Sequence, residues 1–150
     1  MGCPIFKHIR IHTLWTMMQK SNIRQLDLDQ SMLHYFEGKV EIKKMITDAL
    51  TKDVETFLVT FIDGARTKLH YHETDQVLIA TEGKGLVVLQ TGVKMENDTT
   101  ATVKMDEMHY LSEGDFVCVP AGKWHWHGAV KGNRFVHYQI KKPGKTVWLE

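Results

Sequence analysis

The chain has 150 residues, 43% of them hydrophobic and 25% charged, with a formal net charge of +1. That length suits one globular domain, and the even charge leaves no basic block or one-sign tail for a nucleic-acid partner. No apolar run reaches the roughly 18 residues that a bilayer-spanning helix needs, so no membrane partner is expected.

The N-terminal stretch carries the least pattern. Ile5, Ile9, Ile11 and Leu14 alternate only loosely, and Thr13 to Lys20 fits a helical turn as well as a strand. Lys7 and Arg10 precede an interrupted apolar run with no small-residue cleavage site, so no signal peptide is expected. Phe6 stands where a myristoylation signal has Ser or Thr, and the expected location is cytoplasmic. Cys3 and Cys118 share no CxxC spacing, which argues against a disulfide framework; Cys118, inside an apolar run, reads as a small buried hydrophobe.

Asn22 to Gln30 is polar and reads as a loop or short extended piece. Ser31 to Phe36 reads as a short strand closed by a turn at Glu37-Gly38, and Val40 to Ile46 as a second strand. Val54 to Ile62 is rich in β-branched and aromatic residues, which favours a strand covered on both faces. Phe57, Val59 and Phe61 share one of those faces, and Asp63-Gly64 is a turn signal. Strands are predicted next at Leu69 to His72 and Gln76 to Thr81. A hairpin turn at Glu82-Gly83-Lys84-Gly85 leads into Leu86 to Gln90. Beyond a turn at Thr91-Gly92, residues 95–102 read as a loop before a pair of short strands. Phe116 to Val119, His125 to Val130 and Arg134 to Lys141 read as the last core strands, with a short terminal strand at Thr146 to Leu149. Short strands separated by Gly-rich turns indicate an all-β barrel or sandwich.

The chemistry concentrates on a few residues. His70 and His72 lie two apart on a predicted strand, so both imidazoles project to one face. Gln76 follows with an amide oxygen. His125 and His127 repeat the two-residue spacing on a later strand. His127 reads either as a free general base or acid at neutral pH, or as a structural histidine bonded to the backbone. His137 either lines the same cavity or bonds across strands. Phe57, Val59 and Phe61 would give that cavity an apolar wall if their face points inward, which suits a small, partly hydrophobic ligand. His8, His12, His34 and His109 have no partner pattern and read as surface or structural. Trp124 and Trp126 alternate with the site histidines and should pack on the far side of their strand, or at a subunit contact, rather than touch substrate.

Two spaced motifs carry a family resemblance. Gly64, His70, His72, Gln76 and Gly83 fall in the register of one, and Gly114, Pro120, Gly122 and His125 in that of the other. Together they resemble the two signature motifs of the cupin family over about residues 54–140. Two positions depart from the pattern: Gln76 stands where cupins usually carry Glu, and Ala129 where they often carry Asn. The resemblance implies a double-stranded β-barrel, of cupin or jelly-roll type, holding a divalent transition metal through His70, His72, Gln76 and His125. Three imidazoles suit Mn, Fe, Ni, Cu or Zn. A neutral Gln leaves the full charge on the ion, which favours Lewis-acid work over access to a +3 state.

The run from Lys123 to Ala129, with Gly64 to Thr67, is similar to a subgroup of small cupins that includes the manganese-dependent hydroxynitrile lyases. That similarity favours manganese and implies that His127 is the base. It makes a Lewis-acid lyase acting on a small molecule the leading expectation. A cupin dioxygenase and a non-enzymatic metal- or ligand-binding cupin are the alternatives. Residues 1–47 are expected to form an extension of short strands, packing on the barrel or on a partner subunit, with the cupin barrel at 48–150. Cover for exposed sheet edges makes a homodimer the expected assembly.

Overall fold

The computed structural model describes residues 18–95 and 101–149. The readings made above for Cys3, His8, His12 and residues 1–17 lie outside the described residues. The fold is all-β, a closed barrel with added strands. In chain order these are β1 (Phe36–Ile46), β2 (Glu55–Thr67), β3 (His70–His72), β4 (Gln76–Met95), β5 (Ala101–Ser112), β6 (Phe116–Val119), β7 (His125–Ala129), β8 (Arg134–Lys141) and β9 (Thr146–Trp148).

The barrel turns on β4, a single strand of 20 residues where the sequence predicts two strands and a hairpin at Glu82–Gly85. Its first half pairs with β8 and β6, and its second half with β7 and β5. One strand therefore passes from one wall of the barrel to the other. The corner lies at Gly83 and Gly85. Gly83 has φ of +78°, and a Cβ there would come within 1.8 Å of the Arg134 carbonyl oxygen; one on Gly85 would come within 2.5 Å of the Phe135 ring. These glycines bend a strand instead of ending it, a use that Gly in strands shares with hairpin turns. The hairpin prediction is corrected on that ground.

Three further turn signals also prove to be irregularities within strands, among them Thr91-Gly92, which lies at a register shift inside β4. Glu37-Gly38 sits at a register shift inside β1, and Asp63-Gly64 lies within β2 with positive φ at both residues. The predicted strand over Ser31 to Phe36 is a 3-10 turn at Leu33–Tyr35, with β1 beginning only at Phe36. The predicted pair of short strands before Ser112 is the single 12-residue β5. Cys118 is exposed, not buried. β6 is short and alternates, so Val119 enters the core while Phe116 and Cys118 face outward.

The inner faces of the strands meet in aligned rows. Ile42 of β1 stands opposite Val59 of β2, which stands opposite His137 of β8, which stands opposite Ala80 of β4. One residue pair along, Val40, Phe61 and Phe135 repeat the row. All seven are buried, with Phe61 and Phe135 fully so. Burying the valine, isoleucine and phenylalanine side chains among them contributes about 1.5–3 kcal/mol each relative to leaving them in water. The polar positions at one end of this core make the site.

Candidate metal centre and its cavity

His70 on β3 is the direct register partner of His125 on β7, and β9 flanks β3 on its other side with Trp148 opposite His70. Strand alternation puts His70 and His72 on the inner face, and His125 and His127 likewise, so four imidazoles converge from two neighbouring strands. One ring nitrogen from each of His70, His72 and His125 lies within 4.8 Å of the others. Gln76, at the start of β4, is fully buried, with Oε1 3.0 Å from Nε2 of His125.

The other nitrogens of the three histidines fix this orientation. His70 Nδ1 donates to the Lys68 carbonyl at 2.9 Å, and His125 Nδ1 to the Lys123 carbonyl at 2.8 Å. His72 Nδ1 is bonded to the Thr146 hydroxyl at 2.8 Å. A carbonyl oxygen only accepts, so the proton of His70 and of His125 is held on Nδ1 and Nε2 keeps its lone pair. This is the arrangement in which outer partners orient metal-ligating histidines.

Burial also keeps the rings neutral. It holds His70 well below the usual imidazole range, helped by the neighbouring His125 and His72. It lowers His72 to about 3, with His125 and Lys141 adding to the effect, and His125 to about 4. The donor set therefore fits a divalent transition metal. Three neutral imidazoles and an amide oxygen point inward, and both Nε2 of His72 and Nε2 of Gln76 are buried without a hydrogen-bond partner. The contact between His125 Nε2 and Gln76 Oε1 sets two lone pairs against each other. A cation between them, or rotation of the amide to donate its NH₂, removes that repulsion.

A narrow cavity, about 30 Å³ in the space open to the centre of a water-sized sphere, opens beside these candidate ligands. His70, His72 and His127 line it on one side, with Phe57 and Val59 among its apolar walls. Gln76 and His125 lie behind that lining. So do Phe61 and His137, which the sequence groups with the pocket. The Phe61 ring stacks on His137 at 5.6 Å and meets His127 edge-on at 5.7 Å. His137 is fully buried, neither ring nitrogen has a partner, and burial lowers it to about 4. His127 is held well below its ordinary value by burial and then by the imidazoles around it, and its Nδ1 has no partner. Its backbone N–H donates to the Thr67 hydroxyl at 3.1 Å.

Several residues of the site carry no sequence signal. Trp148 stacks on His70 at 4.3 Å, and Tyr35 stacks on Trp148 at 4.3 Å, so a terminal strand and an early 3-10 turn clamp one histidine. Thr146, Thr67 and the pair of half-buried Glu55 with buried Lys141 are equally silent, because their partners are distant in sequence. Trp124 and Trp126 do face away from the cavity. The first meets Tyr71 edge-on, and the second lies under the Arg66 guanidinium at 4.9 Å.

Residues 57–137 match the Cupin domain family. The chain is 33% identical over 119 residues to an (R)-mandelonitrile lyase of Granulicella tundricola, covering 77% of this chain and 80% of that one. Among solved structures it resembles a cupin-like protein from Thermotoga maritima, with a TM-score of 0.67 and 30% identity over 86% of this chain and 89% of that one. It also shares its fold with oxalate decarboxylase of Bacillus subtilis, described for its Mn(II) centres, at a TM-score of 0.56 and 24% identity. That likeness covers 75% of this chain and 28% of the larger protein. No helix among the described residues is long and apolar enough to cross a membrane.

Proposed function

This chain belongs to the cupin family, and we propose that it is a metal-dependent enzyme that acts on a small organic molecule by lyase-type chemistry, as in cyanohydrin cleavage. The observation that carries this reading is the junction of two features. Oriented, neutral donors of His70, His72 and His125 lie within 4.8 Å of one another with Gln76 Oε1 beside His125, and a fourth imidazole, His127, lines the cavity next to them. The likeness to a mandelonitrile lyase supports it.

His70, His72, Gln76 and His125 would hold a divalent transition metal, with manganese the first candidate. Bound there, the ion supplies Lewis acidity toward a substrate oxygen. The neutral imidazole of His127 takes the proton of a substrate hydroxyl and returns it to the leaving group. Phe57 and Val59 make part of the cavity wall apolar, and a low-polarity wall strengthens electrostatic contacts beside it. The neutral Gln76, in place of a carboxylate, favours Lewis-acid work over oxygen activation.

The test is turnover of acetone cyanohydrin by protein as purified, after metal removal and after metal restoration, with oxygen uptake followed in parallel. We expect cleavage that needs the metal and falls at least about a hundredfold in His127→Ala while metal content is unchanged. Turnover that survives metal removal, or that persists in the variant, would contradict the reading. Oxygen consumption would favour the dioxygenase class.

We also propose a homodimer, with residues 1–47 packed on the barrel or on a partner subunit. Among the described residues β6 pairs with β4 alone, and Phe116 and Tyr110 are 76% and 66% exposed near that edge. Light scattering at micromolar concentration should give twice the chain mass; a monomer mass would overturn this.

A further inference from the structure

One charged residue in the cavity has no part in the chemistry above. Lys141 ends β8, with Glu55 of β2 as its register partner on one side and Gln76 of β4 on the other. Neighbouring strands lie about 4.8 Å apart, so its backbone is adjacent to that of the amide ligand. Its side chain is 4% exposed and lines the cavity together with His70, His72 and His127. Nζ donates to Glu55 Oε2 at 3.1 Å and, at 3.5 Å, to the Lys142 carbonyl. An ammonium carries three hydrogens. Lys141 thus has one donor without a protein acceptor among the described residues, on a group that borders the cavity.

A charge in that place is a cost to the fold. Burying an ion pair stabilises less than an apolar pair of the same volume, and an ammonium beside a divalent metal repels it. Glu55 offsets one charge and no more. Apart from Glu55 and Lys141, the cavity is lined by apolar, hydroxyl, amide and neutral imidazole side chains. A cation with a spare donor, held at the wall of such a cavity, is complementary to an anion that enters it.

We propose that Lys141 anchors a carboxylate, and hence that the cavity takes a small organic carboxylate, its other oxygen-bearing end directed toward His70, His72 and His127. Glu55 is the positioning residue: it holds the Lys141 side chain in its buried orientation. This rests on reading the cavity as a substrate site and narrows the substrate class.

The test is calorimetric titration of acetate and of its neutral counterpart acetamide, into protein as purified and after metal removal. The metal content of each sample is measured by elemental analysis. We expect acetate to bind at least about tenfold tighter than acetamide in both forms. The preference should vanish in Glu55→Gln/Lys141→Met, which removes both charges and leaves no unpaired ion. The single change Glu55→Gln keeps an acceptor for Lys141 in the amide oxygen but removes the competing charge, so acetate binding should strengthen. Absence of the preference in the metal-free wild-type protein, or its survival in the metal-free double variant, would overturn the proposal. The two readings fail separately: a protein that takes up no metal but keeps a Lys141-dependent preference loses the metal centre alone. A metal-loaded protein that shows no preference once stripped loses the carboxylate anchor alone.

Discussion

Nε2 of His125 and Oε1 of Gln76 face each other across 3.0 Å. The Lys123 carbonyl takes the one ring proton, at Nδ1, and burial keeps a second from binding. With the amide in this orientation, two lone pairs at that separation in a buried site suit a cation, whereas the rotated amide would donate to His125.

Replacing Gln76 by Glu adds a negative charge to that place. Gln76→Glu should tighten binding of manganese or zinc by at least about tenfold, because a carboxylate attracts the ion where an amide only solvates it. It should also make a bound iron easier to oxidise. Competition against a chromophoric chelator measures the first effect and a redox titration the second. Unchanged values in both would show that residue 76 is not a ligand.

Thr146 orients His72 through its hydroxyl, 2.8 Å from Nδ1. Thr146→Val keeps the shape and removes the bond. Metal affinity should fall about 10- to 100-fold, the usual cost of losing such a partner. Circular dichroism of the metal-free variant should be unaltered. An affinity within a factor of two of the wild type would place the ion elsewhere.

Stability should depend on pH in a definite direction. Burial lowers both His125 and His137 to about 4, against 6.5 for an exposed imidazole. Between those values the unfolded chain binds protons that the folded chain does not. Metal-free protein should therefore be fully stable, in this respect, above the unfolded value. It should lose stability as the pH falls from 6.5 toward 4. The slope is up to about 1.4 kcal/mol per pH unit for each such histidine. Urea unfolding at about pH 7 and about pH 5 measures it; an unmoved midpoint would contradict the burial of neutral rings.

The barrel corner predicts a backbone effect. Gly83→Ala would set a Cβ 1.8 Å from the Arg134 carbonyl oxygen at a φ of +78°. The strand must shift or lose its pairing with β8, so the variant should lose more than about 3 kcal/mol, read as the denaturation midpoint or as loss of soluble protein. Gly132→Ala is the control. It also has positive φ, at +77°, but its Cβ would meet nothing within 4 Å. Its loss should stay near about 1 kcal/mol.

The all-β class and the local composition of the candidate metal centre were legible in the sequence. Their signals are short-range: His70 and His72, and His125 and His127, share a face because a strand alternates with a period of two. Strand endings were less legible. Glu82-Gly83-Lys84-Gly85 and Asp63-Gly64 have the composition of turns, yet both lie inside strands. Glycine permits a bend of either kind, and only the neighbouring strands decide whether pairing continues through it. Cys118 illustrates the same limit. Its run is apolar, but which alternate residue points outward depends on which face of β6 meets the core.

The sequence by itself determined the donor types, their two-residue spacing and the neutral Gln76, because these are properties of single residues and of the extended chain. Only the tertiary structure decided that β3 and β7 lie side by side, which brings His125 opposite His70. It alone placed Thr146 on His72, stacked Trp148 on His70 and set Lys141 between Glu55 and Gln76. Those contacts join residues as far as 86 positions apart. Their geometry comes from strand order and register across a closed barrel, which no local pattern encodes.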